Sequence, residues 1–198
     1  IPFEPLWEQY KRVCKGAIVL TAAQPFTSAL VMSAKSIFKY EWIWRKAKPV
    51  GHLNAKKMPM AAHESLLVFC CEKTPYNPQG LTESGSIVSR TNNGNYGECS
   101  KTTIRTHTGY PRTVLDFAHD SRSVHPTQKP VALMEYMIRT YTSESDTVLD
   151  NCMGSGTTGV ACVNTNRNFI GIEKDEGYFK MSKQRIEAAE AIRNGATN

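Results

Sequence analysis

Apolar and polar positions alternate along the chain with periods that change from segment to segment. Leu6, Tyr10 and Val13 recur at helical spacing and predict an amphipathic helix over residues 3–13. Gly16 interrupts it, and the apolar run at 17–20 reads as a buried strand. A turn at Gln24, Pro25 and Phe26 leads into a short helix at 27–33. Residues 38–44 alternate as a strand. A polar pair, His63 and Glu64, precedes a second apolar strand at 65–69, and these two strands are expected to pair. Residues 73–109 are rich in Thr, Ser, Asn and Gly, including the stretch 91–97, and read as loops. Val114, Leu115 and Phe117 return the chain to the core. Pro130 is placed to start a helix whose stripe is Leu133, Met134, Met137 and Ile138. A last helix over 177–193 is expected to turn Phe179, Ile186, Ala189 and Ile192 inward.

Residues 146–173 carry the densest signal. Val148 and Leu149 make a short strand, Gly154, Gly156 and Gly159 make a tight loop, and residues 157–165 can form a helix with Val160, Ala161 and Val163 on its apolar face. Residues 169–172 are a second strand, followed by Glu173. This is a βαβ unit with a nucleotide-like pocket at its strand ends, so the expected class is α/β. Two ligand classes fit. The glycines satisfy G-x-G-x-x-G and Glu173 stands where a ribose-binding acid is expected, which admits a dinucleotide. Asp150, however, sits at the strand end before the glycines, and a carboxylate there repels a pyrophosphate, which needs bare backbone N–H groups. It suits a ligand without phosphate that carries cationic groups, such as S-adenosylmethionine (SAM), with Glu173 still free to bind ribose hydroxyls. No Lys follows the glycines, so a Walker phosphate loop is excluded.

The sequence HPTQKP at 125–130, about two dozen residues before the glycine loop, resembles the segment that precedes the SAM loop in the β group of DNA amino-methyltransferases. Those enzymes methylate adenine N6 or cytosine N4. The whole chain is similar to that family, and most like its small phage-type members. The resemblance implies a Rossmann-like SAM-dependent methyltransferase fold with permuted motif order and an inserted target-recognition region. Residues 1–44 would be the catalytic half, 45–112 the insertion with hairpin strands, and 113–198 the SAM-binding half. It implies SAM as cofactor, with Asp150, Cys152, Gly154, Gly156, Thr157 and Glu173 lining its site. His125, Thr127 and Lys129 would approach its methionine end, and Lys129 would pair with the carboxylate. It also implies double-stranded DNA with base flipping as substrate, a cytoplasmic place in a bacterial or phage-infected cell, and a homodimer as one common assembly. The NAD-linked oxidoreductase reading is disfavoured by Asp150 and by the 125–130 block.

Two departures from the family pattern stand out. The usual Asp-Pro-Phe before the glycines is here Asp150, Asn151 and Cys152. Asn151 lacks proline's fixed φ, and Cys152 is smaller than Phe and leaves more room beside the cofactor. The family's catalytic tetrapeptide, Asp/Asn/Ser-Pro-Pro-aromatic, does not occur in these 198 residues; Thr74, Pro75 and Tyr76 only echo it. In this group the tetrapeptide lies just upstream of the segment matching residues 1–10. The chain starts with Ile, and the expectation is that it begins after the catalytic loop, with about 35 residues preceding it. The expected activity is therefore methyl transfer to an exocyclic base amine, adenine N6 ahead of cytosine N4, by a longer parent, the chain alone being inactive. A catalytically inactive nucleic-acid-binding protein on the same scaffold is the alternative. Restriction–modification and orphan roles fit equally.

Composition adds less. The 198 residues suffice for a sizeable core, 40% are hydrophobic, and no run approaches a membrane span. The six cysteines form no C-x-x-C pair and are expected to be reduced thiols, with no metal site. The net charge of +6 is mild, but its distribution is uneven. Arg45, Lys46, Lys48, Lys56 and Lys57, with His52 and Asn54, follow Tyr40, Trp42 and Trp44. Cations neutralise phosphates, and polar or aromatic groups meet bases. Arg45, Lys46, Lys48, Asn54, Lys56 and Lys57 are the candidate DNA contacts.

Overall fold

The computed structural model describes residues 2–90, 101–120 and 128–195. The stretch 91–97 and the candidates His125 and Thr127 lie outside the described residues. The order of elements is α1 (Phe3–Val13), β1 (Ala17–Ala22), α2 (Phe26–Ser33), β2 (Phe38–Val50), β3 (Ala61–Cys70), β4 (Thr82–Arg90), β5 (Lys101–Thr108), β6 (Val114–Phe117), α3 (Val131–Tyr141), β7 (Thr147–Asp150), α4 (Thr157–Asn164), β8 (Asn168–Gly171) and α5 (Glu176–Gly195). The helices and strands expected in 3–69 and 114–193 all occur, mostly within a few residues of their expected ends; β2 runs on to Val50.

The chain divides into two compact units, Ile1–Asn77 with Thr113–Asn198, and Pro78–Arg112. Residues 45–77, expected within the insertion, thus belong to the larger unit. There, β1, β3, β2 and β6 form a mixed sheet in that order, β3 running antiparallel to β1 and β2, and β6 parallel to β2. The β2–β3 pairing is the hairpin expected from the apolar runs.

Alternation along β3 explains the layers. Leu66 and Val68 face one way and meet Trp42, Trp44, Leu115, Leu133, Met137 and Tyr141, the last three from α3. Leu67 and Phe69 face the other way and meet Trp7, Ile18, Leu30 and Ala34, from α1, β1, α2 and the residue that ends it. All four of these β3 side chains have no solvent exposure. A continuous apolar run is what a strand covered on both faces requires. Trp42 and Trp44 are core residues, not base-facing aromatics: Trp42 Nε1 donates to Tyr141 OH at 2.6 Å and Trp44 Nε1 to the Phe117 carbonyl at 2.8 Å. Each indole ring is buried while its N–H keeps a partner.

The opposite side of α3 covers the second sheet. Ile138 packs with Ala161 and Cys162 of α4 and with Val148 and Phe169, which stand opposite each other on β7 and β8. β7 and β8 are parallel and joined through α4, the βαβ unit expected from 146–173. In α5 the expected inner face is only partly right. Ser182 is fully buried and Ile186 packs on Gly159, but Phe179 is 44% exposed and Ile192 74%.

In the smaller unit, the segment expected to be loops holds an antiparallel hairpin of β4 and β5. Ile87 and Ile104 stand opposite each other and are 72% and 65% exposed. Backbone pairing makes this ribbon with no buried face at that pair, so no apolar period marks it in the sequence.

Candidate functional site

The glycine loop lies between the end of β7 and the start of α4. Gly156 is in the left-handed region at φ 79°, and a Cβ there would come within 2.7 Å of the Ser182 side chain on α5. Gly159 lets α4 approach Ile186 and Phe169, where a Cβ would overlap both. The loop closes on itself through Gly156 N donating to the Met153 carbonyl at 2.8 Å, and on β8 through Met153 N to the Ile172 carbonyl at 3.1 Å.

Both acids predicted at the strand ends turn to this loop. Asp150 Oδ1 accepts from Cys152 N at 3.0 Å and Oδ2 from Thr158 Oγ1 at 2.6 Å. Glu173 Oε2 accepts from Gly154 N at 2.9 Å and Oε1 from Asp175 N at 2.9 Å. Those backbone donors, Asp175 first, hold the Glu173 carboxyl below its usual range. The carboxylates therefore shape the loop before they meet any ligand. Each of their oxygens can accept a further bond. The Oγ1 of Thr157 is buried at the first turn of α4 without a partner. Cys152 is exposed, and burial followed by the charges of Asp150 and Glu173 pushes its thiol up. Of the sequence-predicted cofactor residues, Asp150, Cys152, Gly154, Gly156, Thr157 and Glu173 thus come together around one loop. Asn151, where the family has proline, takes a hydrogen bond from Tyr10 OH at 3.1 Å, which ties the loop to α1.

Lys129 comes from the other side of the undescribed segment 121–127. That segment is bracketed by a contact, Gln128 Nε2 donating to Asp120 Oδ2 at 3.1 Å. Asp120 Oδ1 also accepts from Val131 N at 3.3 Å, at the start of α3, where the N-cap Pro130 offers no side-chain acceptor. Ser155 Oγ donates to Gln128 Oε1 at 3.4 Å, joining this corner to the glycine loop. Lys129 itself pairs with Glu64 at 3.0 Å.

The basic segment is split. Lys48, Lys56, Lys57 and Asn54 are exposed, the last within a short 3-10 turn, His52–Asn54, after a left-handed Gly51. Arg45 is exposed and forms a two-pronged pair with Asp116, its neighbour across β2 and β6, with Nη2 to Oδ2 at 2.8 Å. Lys46 does not belong with these. Its side chain is only 8% exposed, bonds Glu64 at 2.6 Å and lies over the Trp44 ring at 5.6 Å. The expectation of a phosphate contact at Lys46 is corrected: strand alternation places it on the α3 side with Trp42 and Trp44. Asp120 was an acid that sequence reasoning left unassigned, and Glu64 was singled out only with His63 as a polar pair, a functional role and an ordinary strand entry being equally open. For Glu64 the signal was present, two residues before Leu66 on the same strand face.

Among the described residues no cluster of His, Cys, Asp or Glu could hold a metal ion, and no helix is long and apolar enough to cross a membrane.

Comparison with known proteins bears on the family and the fold. Residues 4–184 match the N6_N4_Mtase family, described as DNA methylase. The chain is 42% identical over 83 residues to type II methyltransferase M.HpaI of Haemophilus parainfluenzae, covering 39% of this chain and 26% of that protein. It is 48% identical over 64 residues to type II methyltransferase M2.DpnII of Streptococcus pneumoniae, covering 32% of this chain and 24% of that protein. These matches span about a quarter of each relative. The crystal structure of an M1.HpyAVI–SAM complex superimposes with a TM-score of 0.65 at 28% identity, covering 92% of this chain and 80% of that one. The cytosine-N4-specific PvuII DNA methyltransferase superimposes with a TM-score of 0.64 at 16% identity, covering 91% and 69%, a likeness of fold. Because the family match runs from α1 through both sheets and the glycine loop into α5, the chain belongs to the N6_N4_Mtase family of DNA methylases.

Proposed function

We propose that this chain binds SAM at the glycine loop and forms the cofactor-binding and DNA-facing part of a site-specific DNA amino-methyltransferase. The observation that carries the reading is the βαβ unit closed by two carboxylates, Asp150 before the glycines and Glu173 after them. A pyrophosphate would meet the Asp150 charge at the loop; an ammonium or ribose hydroxyl would be welcomed by it and by Glu173. Thr157, with a buried hydroxyl lacking a partner, fits a polar ligand at the same loop. When bound, SAM supplies an electrophilic methyl group. Asp150 and Glu173 hold it by its cationic and hydroxyl groups, Cys152 borders it, and Lys129 meets its carboxylate.

The acceptor is an exocyclic base amine of double-stranded DNA, adenine N6 ahead of cytosine N4. Its lone pair is delocalised into the ring, so the base must leave the stack and be held by acceptors and an aromatic. The tetrapeptide that would do this is not among the 198 residues. The chain alone is therefore expected to bind SAM and not to methylate DNA. Arg45, Lys48, Asn54, Lys56 and Lys57 are the DNA contacts on the exposed arm, and residues 78–112 serve target recognition. The setting is cytoplasmic, within a restriction–modification or orphan methylation system.

Ligand-dependent melting tests the cofactor reading. SAM at a hundred times its Kd should stabilise the protein by about 2.7 kcal/mol, and NAD should do nothing. Stabilisation by NAD alone would overturn it. Methylation by a preparation free of longer protein would overturn the expectation of inactivity. A catalytically silent nucleic-acid-binding protein remains the second reading, favoured by the absent tetrapeptide. It requires a native parent that also lacks that motif.

A further inference from the structure

One side-chain cluster outside the glycine loop joins elements that are far apart in sequence. Alternation along β2 puts Lys46 in line with Trp42 and Trp44, and along β3 puts Glu64 in line with Leu66 and Val68. Trp44 and Glu64 are direct partners in register, so Lys46 and Glu64 are diagonal neighbours at the end of the apolar row. α3 covers this face, and Lys129 stands just before it. Glu64 meets one lysine on each oxygen: Lys46 Nζ at 2.6 Å from Oε1, and Lys129 Nζ at 3.0 Å from Oε2. The three side chains are 8%, 18% and 21% exposed, for Lys46, Lys129 and Glu64.

We propose that Glu64 is a positioning residue that presents the Lys129 ammonium to the carboxylate of the bound cofactor. The proposal rests on the cofactor reading of the site given above. A lysine side chain has four rotatable bonds, and fixing it costs rotamer entropy. A half-buried carboxylate that is itself anchored on a central strand removes that cost before the ligand arrives. An ammonium carries three donors, so a bond to Glu64 can orient it while another of its donors meets a ligand. Gln128, the residue before Lys129, touches Ser155 of the glycine loop, so the chain at Lys129 runs beside that loop. Burial pushes the Glu64 carboxyl up, but the bonds from Lys46 and Lys129 outweigh it and hold it below the usual range, so the acceptor is charged at neutral pH. Lys46 bonds the other oxygen of Glu64, so the oxygen that meets Lys129 keeps its own partner whether or not Lys46 is present.

The test compares affinities for SAM and for its decarboxylated analogue, which keeps the ammonium and sulfonium but lacks the carboxylate. The readout is the ratio of the two dissociation constants in the 198-residue protein. The unmodified protein should prefer SAM by about tenfold or more, the worth of one charge-assisted hydrogen bond. Lys129→Met should bring the ratio close to one. Glu64→Gln should lower it at least about threefold, and Glu64→Asp, too short to reach both lysines, should fall between. Lys46→Met leaves the Glu64–Lys129 bond in place and removes no group assigned to the cofactor carboxylate, so it should keep the ratio within about twofold. Equal weakening of both ligands by Glu64→Gln, or an equal fall of the ratio with Lys46→Met, would make Glu64 a structural residue and overturn the proposal. An unchanged ratio in Lys129→Met would instead overturn the assignment of Lys129 to the cofactor, and the role of Glu64 with it.

Discussion

β3 and the β4–β5 ribbon are both β structure, yet they are held by opposite means. β3 lies inside the sheet with both faces covered, and Leu66, Leu67, Val68 and Phe69 are all without exposure. The ribbon leaves Ile87 and Ile104 mostly in solvent. A strand must be apolar over the stretch that is covered on both faces, whereas an uncovered ribbon needs only backbone pairing and β-branched residues such as Ile87 and Ile104. The first leaves a clear trace in the sequence and the second does not. The same contrast separates structural stability from surfaces free to meet a partner.

The strongest way to break this comparison is to truncate one side chain in each place. Phe69→Ala should cost about 3–5 kcal/mol, enough to unfold a marginal domain, while Ile87→Ala should stay within about 0.5 kcal/mol. Urea denaturation with matched m-values measures both. A large loss at Ile87 would mean that a partner or another part of the chain covers the ribbon.

Glycine makes a second, smaller pair. Gly159→Ala places a Cβ on Ile186 and Phe169, and overpacking of about 1–3 kcal/mol should outweigh the helix propensity gained. Gly85, in β4, has open space around it, so Gly85→Ala should change stability by less than about 0.5 kcal/mol. Thermal melting of the two variants gives the comparison.

Charge sharpens it further. Lys56→Ala and Lys57→Ala should leave the fold intact and reduce the salt dependence of DNA binding, each removed phosphate contact lowering the log–log slope by about 0.9. Lys46→Ala should leave that slope alone. An equal change at Lys46 would show that the arm reorganises on DNA.

The smallest expected effect is a pH dependence. Glu64 has its carboxyl held below the ordinary 4.5 in the folded state. Its contribution is therefore present above that value and is lost as pH falls through the folded-state value. Partial exposure keeps it below about 1 kcal/mol. Stability curves of the parent and Glu64→Gln should converge in acid below pH 4.5 and separate above it; parallel curves would show that Glu64 titrates normally.

Much of the site was legible because its signals are local. Gly156 and Gly159 stood out because a left-handed turn at the first and a close helix contact at the second leave no room for a Cβ, and Asp150 and Glu173 stood out by their places at strand ends. Trp42, Trp44 and Lys46 were misread for one shared reason. Their apolar and basic character suggested a nucleic-acid face, whereas the period-two alternation of β2 turns all three toward α3. The ribbon of β4 and β5 was missed because its sequence carries no buried period.

The sequence by itself determined the βαβ unit and its glycine loop, since 28 consecutive residues, 146–173, contain both strands, the glycines, the helix and the two strand-end acids. Only the tertiary structure decided which basic residues face solvent and which acid orients Lys129. Those choices depend on the register of β2 against β3 and on α3 packing over both, between residues as far apart as Lys46 and Lys129. A pattern along one strand tells which side chains share a face, but only the elements packed on that face tell whether it meets water or another side chain.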